Sequence, residues 1–143
     1  MRGAKMSELF ADTSGRGNLF DSTQPFHSLA ASIYRTARRQ ANKVITTNYV
    51  IAELVALMTS PLRIPRPQLV ALVDAFKASP HVLVVHVDAA LDDDAWQLLR
   101  SRQDKEWSLV DCASFVVMQR RGTAEALTTD HHFEQAGLMR LLK

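Results

Sequence analysis

The stretch His81–Val87, with the sequence HVLVVHV, decides the fold class because it is the clearest β-strand in the chain. Four of its seven residues are valine, and β-branched side chains favour strands. A helical pattern precedes it at Gln68–Ser79 and another follows it at Asp92–Arg102. A strand between two helices indicates that the two kinds of element alternate along the chain.

The same alternation extends in both directions from this strand. Other strands are predicted at LFAD (Leu9–Asp12), KVITT (Lys43–Thr47) and EALTTD (Glu125–Asp130), with a weak fifth at MRLLK (Met139–Lys143). Further helices are predicted at Pro25–Ala41, Asn48–Thr59 and Ser108–Arg121. Strands that alternate with helices predict βαβ units and a parallel sheet. Right-handed crossovers then place helices on both faces, so we expect an α/β fold, a three-layer α/β/α sandwich with a central parallel sheet.

Length and composition indicate one ordinary globular domain. The chain has 143 residues, of which 47% are hydrophobic and 22% charged, so residues 1–143 are expected to form a single domain. The polar leader at residues 1–8 is expected to be poorly ordered, and Met6 is an alternative start. One cysteine, no signal peptide and no apolar run of membrane-spanning length predict a cytoplasmic protein.

The charge pattern leaves the question of nucleic-acid binding open. A net charge of +2 does not by itself imply a nucleic-acid partner. Basic residues nevertheless cluster along the chain, at Arg35, Arg38, Arg39 and Lys43, at Arg63 and Arg66, and at Arg120 and Arg121. Solvated helix faces and helix C-terminal charges explain these clusters most simply.

Four acidic residues stand at strand ends or in otherwise uncharged helices. Asp12 ends the first predicted strand and Asp130 ends the fourth, so both are expected at the carboxyl edge of the sheet, where open α/β sheets bind ligands near the topological switch point. Glu53 is the only charged residue in VITTNYVIAELVALMTSPL, and Asp111 is the only one in SLVDCASFVVM. The four carboxylates are therefore candidates for one site.

Three of these acids also have a structural explanation. Asp111 follows Ser108 by three positions in SLVD, which matches a capping box. Asp12 could open a turn, and Asp130 could cap the short helix HHFEQAG. Glu53 stands in mid-helix with no basic residue four positions away, so a functional role is favoured for it.

Taken together, the four acids point to a divalent cation. Carboxylates that gather in apolar surroundings are strongly unfavourable unless their charge is compensated. Magnesium and manganese prefer carboxylate oxygens, and such ions can activate water for attack on a phosphodiester. The sequence therefore predicts a metal and catalytic site that contains Asp12, Glu53, Asp111 and Asp130.

Four segments resemble the PIN-domain nucleases and, within them, the VapC-type toxins of toxin–antitoxin pairs. They are FADTSGRGNL with Asp12, TTNYVIAEL with Glu53, DKEWSLVDCASF with Asp111 and EALTTDHHF with Asp130. The resemblance runs from about Leu9 to the end of the chain. It implies a PIN-like fold and an endoribonuclease, dependent on Mg²⁺ or Mn²⁺, that cuts single-stranded RNA.

The resemblance carries further expectations about the site and its partners. The four acids are expected to gather round the metal, and the hydroxyls of Thr13 or Ser14 to orient a ligand or water. An antitoxin protein that occludes the site and a homodimer are the expected partners. Arg35, Arg38 or Arg39 could hold the RNA backbone. Arg16 stands where proteins of this pattern often have an aromatic residue.

Other interpretations are weaker. GRGNLF approaches a dinucleotide-binding fingerprint, but Phe20 occupies the third glycine position. In DHHFE, the adjacent His131 and His132 are expected to diverge and to be surface residues. LDDD (Leu91–Asp94) is interpreted as an acidic first helical turn, and Cys112 as a core residue. A PIN-like module that binds RNA or protein without cutting is the alternative function, and the presence of all four acids argues against it.

Overall fold

The computed structural model describes residues 8–143. They form five strands, β1 (Glu8–Ala11), β2 (Lys43–Thr47), β3 (Val82–Val85), β4 (Glu125–Leu127) and β5 (Met139–Arg140). They also form seven helices, α1 (Thr13–Phe20), α2 (His27–Arg39), α3 (Asn48–Thr59), α4 (Arg66–Ala78), α5 (Ala89–Ser101), α6 (Leu109–Arg121) and α7 (His132–Gln135).

The five strands form one parallel sheet in the order β3-β2-β1-β4-β5. The chain runs outward from β1 to β2 and β3, and then returns to the other side of β1 to add β4 and β5. The direction of winding therefore reverses between β1 and β4. This is the topological switch point at which open α/β sheets place their sites.

Alternate residues of the strands face two different layers of helices. Phe10 and Ile45 belong to the core cluster beneath α5 and α6, whereas their neighbours Leu9 and Val44 belong to the cluster beneath α2. Successive side chains of a strand point to opposite faces, so the central strands carry buried apolar side chains on both faces of the sheet. The three-layer α/β/α sandwich that the sequence predicts is confirmed.

Several boundaries differ from the sequence prediction. The β3 strand covers only Val82–Val85 of the predicted His81–Val87. The α5 helix begins at Ala89 because Asp88 caps it, accepting a hydrogen bond from the Leu91 N–H. Glu8 starts β1, whereas the rest of the expected leader lies outside the described residues.

The sequence prediction misses α1 altogether. No helix is predicted between the first strand and Pro25, and the segment Thr13–Phe20 contains two glycines and lacks apolar periodicity. Asp12 caps this helix by accepting a hydrogen bond from the Gly15 N–H at 2.9 Å. Gly15 allows the helix to approach β4, since a Cβ there would lie 1.9 Å from the carbonyl oxygen of Leu127. The position therefore needs glycine for close packing.

Arg16 is fully buried in α1, where aromatic residues surround its guanidinium. The guanidinium carbon lies 3.3 Å from the centre of the Phe76 ring and 5.7 Å from that of Tyr34. None of its three nitrogens has a hydrogen-bond partner within residues 8–143. Burial lowers the pKa of Arg16 to about 9, and Tyr34 opposes this shift. The planar guanidinium of Arg16 thus stacks on aromatic rings, at a position where proteins of this pattern often have an aromatic residue.

No helix among residues 8–143 is long and apolar enough to cross a membrane.

We expect Gly15→Ala to destabilise the fold by about 1–3 kcal/mol, because overpacking against a backbone carbonyl cannot be relieved by a rotamer change. Gly17→Ala is the matched control. Its added Cβ would lie 3.1 Å from Cδ2 of Leu57, a flexible side chain. Urea unfolding measures both variants. Equal stability of Gly15→Ala and Gly17→Ala would contradict the close approach of α1 to β4.

Candidate active site

The four predicted acids come from four different elements. Asp12 follows β1 and begins α1, Glu53 lies on α3, Asp111 lies in the first turn of α6, and Asp130 follows β4. The hydroxyl of Thr13, next to Asp12, donates a hydrogen bond to Glu53. Thr128 links Asp12 to Asp130, and His132 contacts both Asp111 and Asp130. The fold therefore brings all four carboxylates to the carboxyl edge of the sheet at the β1/β4 switch point.

Asp12 is the most buried of the four, with 8% of its surface exposed. Its Oδ1 accepts hydrogen bonds from the Gly15 N–H and the Ser14 hydroxyl, both at 2.9 Å. Its Oδ2 accepts one from the Thr128 hydroxyl at 2.8 Å. Asp12 has no basic partner among the described residues. Among the described residues, only the dipoles of neighbouring hydroxyl and amide groups therefore stabilise its negative charge.

The hydrogen bonds of Asp12 also join β1 to β4. Ser14 Oγ lies 3.2 Å from Thr128 Oγ1 and accepts a hydrogen bond from the Thr129 N–H at 2.9 Å. Thr128 Oγ1 in turn accepts one from the Asp130 N–H at 2.9 Å. This chain of hydroxyls fixes Asp130 relative to Asp12.

Glu53 lies at the exposed rim of the site. Its Oε1 accepts a hydrogen bond from the Thr13 hydroxyl at 2.7 Å, whereas its Oε2 has no hydrogen-bond donor among the described residues. Partial desolvation raises the pKa of Glu53, and the charges of Asp111 and Asp130 raise it further, while the Thr13 hydrogen bond opposes them. The Thr13 hydroxyl thus orients a carboxylate.

Asp111 forms the capping box that SLVD predicts. Ser108 Oγ accepts a hydrogen bond from the Asp111 N–H at 3.0 Å, and Asp111 Oδ2 accepts one from the Ser108 N–H at 3.1 Å. The same Oδ2 lies 3.1 Å from Nδ1 of His132. Oδ1 is left without a protein donor in residues 8–143. The cap therefore turns one oxygen of Asp111 towards its helix and leaves the other free.

His132 contacts two of the acids, and the sequence interpretation of it as a surface residue is wrong. Its Nδ1 lies 3.1 Å from Asp111 Oδ2 and 3.3 Å from Asp130 Oδ1, and its side chain is 18% exposed. Because carboxylates only accept hydrogen bonds, Nδ1 must carry the proton. His131 is 65% exposed, and its Nδ1 lies 3.8 Å from Asp130.

The two histidines also approach each other more closely than their sequence positions predict. Their ring centres are 4.6 Å apart, since His131 precedes the short helix α7 and only His132 lies in it. Together with Asp130 they form a group whose ligand atoms all lie within 4.8 Å. Helical divergence therefore does not exclude a shared ion here. The signal that could have identified His132 is its position two residues after Asp130 in TTDHHF.

Burial of the four acids is less complete than their apolar sequence surroundings predict. Asp12 alone is buried, Asp111 and Asp130 are partly exposed, and Glu53 is exposed. Burial raises the pKa of Asp12 from 3.8 to about 6, against the opposing hydrogen bonds from Gly15, Thr128 and Ser14, and the charge of Asp130 adds to the rise. The negative charge of Asp12 is thus energetically unfavourable in its buried position, whereas the other three carboxylates are accessible to an ion from solvent.

The remaining sequence candidates lie elsewhere or have structural roles. GRGNLF lies within α1 rather than in an open phosphate-binding loop. Cys112 is fully buried, and burial, with the nearby Asp111 charge, raises the pKa of its thiol to about 11. Within LDDD, Asp92 lies in the first turn of α5 and accepts a hydrogen bond from the Tyr49 hydroxyl. Asp94 forms an ion pair with Arg120.

Comparisons with known proteins identify the family of this chain and agree with its fold. The PIN-domain family model matches residues 9–138. A protein named 23S rRNA-specific endonuclease VapC20, from two strains of Mycobacterium tuberculosis, is 31% identical over 131 residues, 92% of this chain and 95% of the relative. The crystal structure of M. tuberculosis VapC20, described as a sarcin-ricin loop cleaving toxin, superposes with a TM-score of 0.83 and 30% identity. That match covers 94% of this chain and 99% of the other.

We expect Asp12→Asn to stabilise the protein in EDTA above about pH 6. The raised pKa of Asp12 means that its contribution to stability is complete below pH 3.8 and is lost as pH rises through about 6. Asparagine keeps the capping oxygen without the charge. The difference in Tm between variant and wild type should therefore grow from pH 4 to pH 7. Adding Mn²⁺ should raise Tm of the wild type only. A pH-independent difference, or an equal Mn²⁺ effect, would contradict a buried, metal-binding Asp12.

We expect His132→Ala to weaken Mn²⁺ binding by about 10- to 100-fold, as measured by calorimetry, because supporting residues of a metal site typically contribute this much. His132→Asn should restore most of the affinity, since its amide can donate from nearly the same place as Nδ1. His131→Ala is the control, because that side chain is mainly exposed. Equal losses in His131→Ala and His132→Ala would show that the contact with Asp111 is not what matters.

Proposed function

Because the chain belongs to the PIN-domain family, we propose that it is a toxin of the VapC type, an endoribonuclease that cuts 23S rRNA with the help of Mg²⁺ or Mn²⁺. The resemblance to PIN-domain nucleases in the sequence is confirmed by the family match over residues 9–138. The enzyme class follows from the family and from a relative named as an endonuclease. The identity of the metal, the residues that bind it and the RNA target are proposals.

One observation carries the proposed site, the convergence of four carboxylates that keep free oxygens. Glu53 Oε2, Asp111 Oδ1 and Asp130 Oδ2 accept no hydrogen bond from residues 8–143, and Asp12 Oδ2 accepts only that of Thr128. Their second oxygens are held by Thr13, Ser108, His132 and the α1 backbone. An oxygen-only donor set of this kind suits Mg²⁺ or Mn²⁺.

The residues therefore fit a divalent cation, and Asp12, Glu53, Asp111 and Asp130 would hold it. A bound divalent ion supplies charge that activates water and stabilises the oxygen leaving phosphorus. Asp12 is buried and anchored by three hydrogen bonds, so it would be the most rigidly held of the four ligands. The exposed Glu53 would hold the ion from the solvent side of the site.

The proposed substrate follows from the relatives rather than from the site. Both a named relative and a solved structure at about 30% identity are described as proteins that cut rRNA or its sarcin-ricin loop. Each match covers more than nine tenths of both chains. We therefore propose the sarcin-ricin loop of 23S rRNA as the target, and accordingly a cytoplasmic site of action.

The proposed partners are a cognate antitoxin and a second copy of the chain. The VapC-type relative is described as a toxin, and such a nuclease needs a protein that blocks it in the cell that makes it. A homodimer and a single domain spanning residues 1–143 are also part of the proposal.

The first experiment is cleavage of an end-labelled RNA that contains the sarcin-ricin loop, in Mg²⁺ or Mn²⁺ and then in excess EDTA. We expect cutting at one position that requires metal. Asp111→Asn should reduce the rate by roughly 100-fold or more, because one metal ligand is lost.

Asp93→Asn is the matched control, since Asp93 lies exposed on α5. It should cut like the wild type. Cutting that survives EDTA, or a fully active Asp111→Asn protein, would refute the site. A folded protein that binds the RNA and never cuts it would favour the binding-module alternative. Cutting of unrelated RNA alone would refute the 23S rRNA target and leave the nuclease intact.

A further inference from the structure

A second charged region lies at the opposite edge of the sheet from the carboxylates. Arg35, Arg38 and Arg39 of α2 and His81, which precedes β3, line a surface cleft of about 320 Å³. We call these four residues the α2 patch. All three arginines are exposed. Lys43 adds a further cation nearby, because its Nζ donates to the carbonyl oxygen of Pro80, next to His81, at 3.0 Å.

The backbone fixes the patch at the amino edge of the sheet. The Val44 N–H donates to the carbonyl oxygen of His81 at 2.8 Å, and the Asn42 N–H donates to that of Ala37 at 2.8 Å. The end of α2 and the segment before β3 therefore meet where β2 begins. Strands of four or five residues separate this edge from the carboxyl edge by roughly 15 Å. The sequence leaves the position of these arginines relative to the acids open, and the structure places them away from the catalytic site.

The positive charge of the patch is uncompensated. Ion pairs elsewhere in residues 8–143 occupy other arginines, with Arg102 bound to Asp104 and Arg120 to Asp94. No acidic side chain within those residues pairs with the three arginines of the patch. Arg38 instead lies near an aromatic ring, with its guanidinium carbon 5.9 Å from the centre of the Tyr34 ring.

Stabilisation of the α2 C-terminus explains only part of this arrangement. Arg38 and Arg39 lie in the last turn of α2, where cations interact favourably with the helix dipole. Arg35 lies one turn earlier, beyond the short range of that effect, and His81 belongs to a different segment. A cleft lined by both segments is better explained by an anionic ligand.

We propose that the α2 patch binds phosphates of the RNA substrate at a distance from the bond that is cut. Guanidinium groups present a planar fork of donors that matches phosphate oxygens, and three of them around one cleft suit successive phosphates of a backbone. The inference rests on the proposed function, because it assumes a structured RNA large enough to contact both edges of the sheet. Folded RNA is recognised largely through its backbone and shape.

The test compares two double variants in a protein inactivated by Asp12→Asn. Arg38→Gln/Arg39→Gln removes two charges from the patch. Arg102→Gln/Arg120→Gln removes two charges from exposed ion pairs and is the charge-matched control. The probe is a fluorescent RNA hairpin with a stem of about 16 base pairs, and fluorescence anisotropy gives Kd over a series of salt concentrations.

We expect the patch variant to bind the hairpin about tenfold more weakly, and its slope of log Kd against log salt to fall by about one for each arginine lost. The control should keep the slope of its parent. Equal Kd and slope for patch variant and control would overturn the proposal. A patch variant that loses affinity for an acidic peptide, with no change for RNA, would overturn it as well.

Cleavage separates this proposal from the nuclease assignment. In the active protein, the patch variant should cut a single strand of about eight nucleotides that spans the cut position of the sarcin-ricin loop as fast as the wild type. It should cut a hairpin that contains the same loop more slowly at limiting concentration. Slower cutting of both RNAs to the same degree would overturn the remote role of the patch. If no version of the protein cuts RNA while the patch still governs hairpin binding, the nuclease fails and the patch stands. A retained Mn²⁺-dependent rise in Tm shows that each variant with Asp12 is folded.

Discussion

The hydrogen bond from Thr128 to Asp12, 2.8 Å long, is the contact on which the arrangement of the site depends. It joins the ends of β1 and β4, the two strands between which the winding of the chain reverses. The bond requires α1 to lie against β4, and only glycine at position 15 permits that approach. The absence of a side chain at Gly15 therefore determines where the Asp12 carboxylate lies.

Burial makes the negative charge of Asp12 electrostatically costly, and the Thr128 hydrogen bond only reduces that cost. Asp12 is buried and is surrounded by hydroxyl and amide dipoles rather than by a cation, and its raised pKa reports the cost. Arg16, one turn further along α1, is buried even more completely, but its guanidinium stacks on Phe76 instead of pairing with the acid. Pairing the two would have neutralised Asp12 and removed its affinity for an ion. The fold thus stabilises each charge separately and leaves the carboxylate available.

Sequence reasoning could predict the sheet, because strands such as KVITT and helices such as Asn48–Thr59 are encoded by local pattern. It could also single out the four acids as candidates for one site, because they stand out from apolar surroundings. It could not find α1, whose stability comes from the Asp12 cap and from packing against β4 rather than from periodicity. It misjudged His132 for a related reason, since the contact with Asp111 joins residues 21 positions apart.

Net charge was similarly misleading, because a value of +2 averages two regions of opposite sign. The carboxyl edge of the sheet gathers four acids and would repel the phosphates of any RNA. One divalent cation carries two positive charges and so compensates only part of the charge of four carboxylates, and its field is screened by salt within about 10 Å. A long RNA also needs contacts with cationic side chains that lie away from these acids. The amino edge, with the three arginines of the α2 patch, meets that need because the sheet itself keeps the two charges apart.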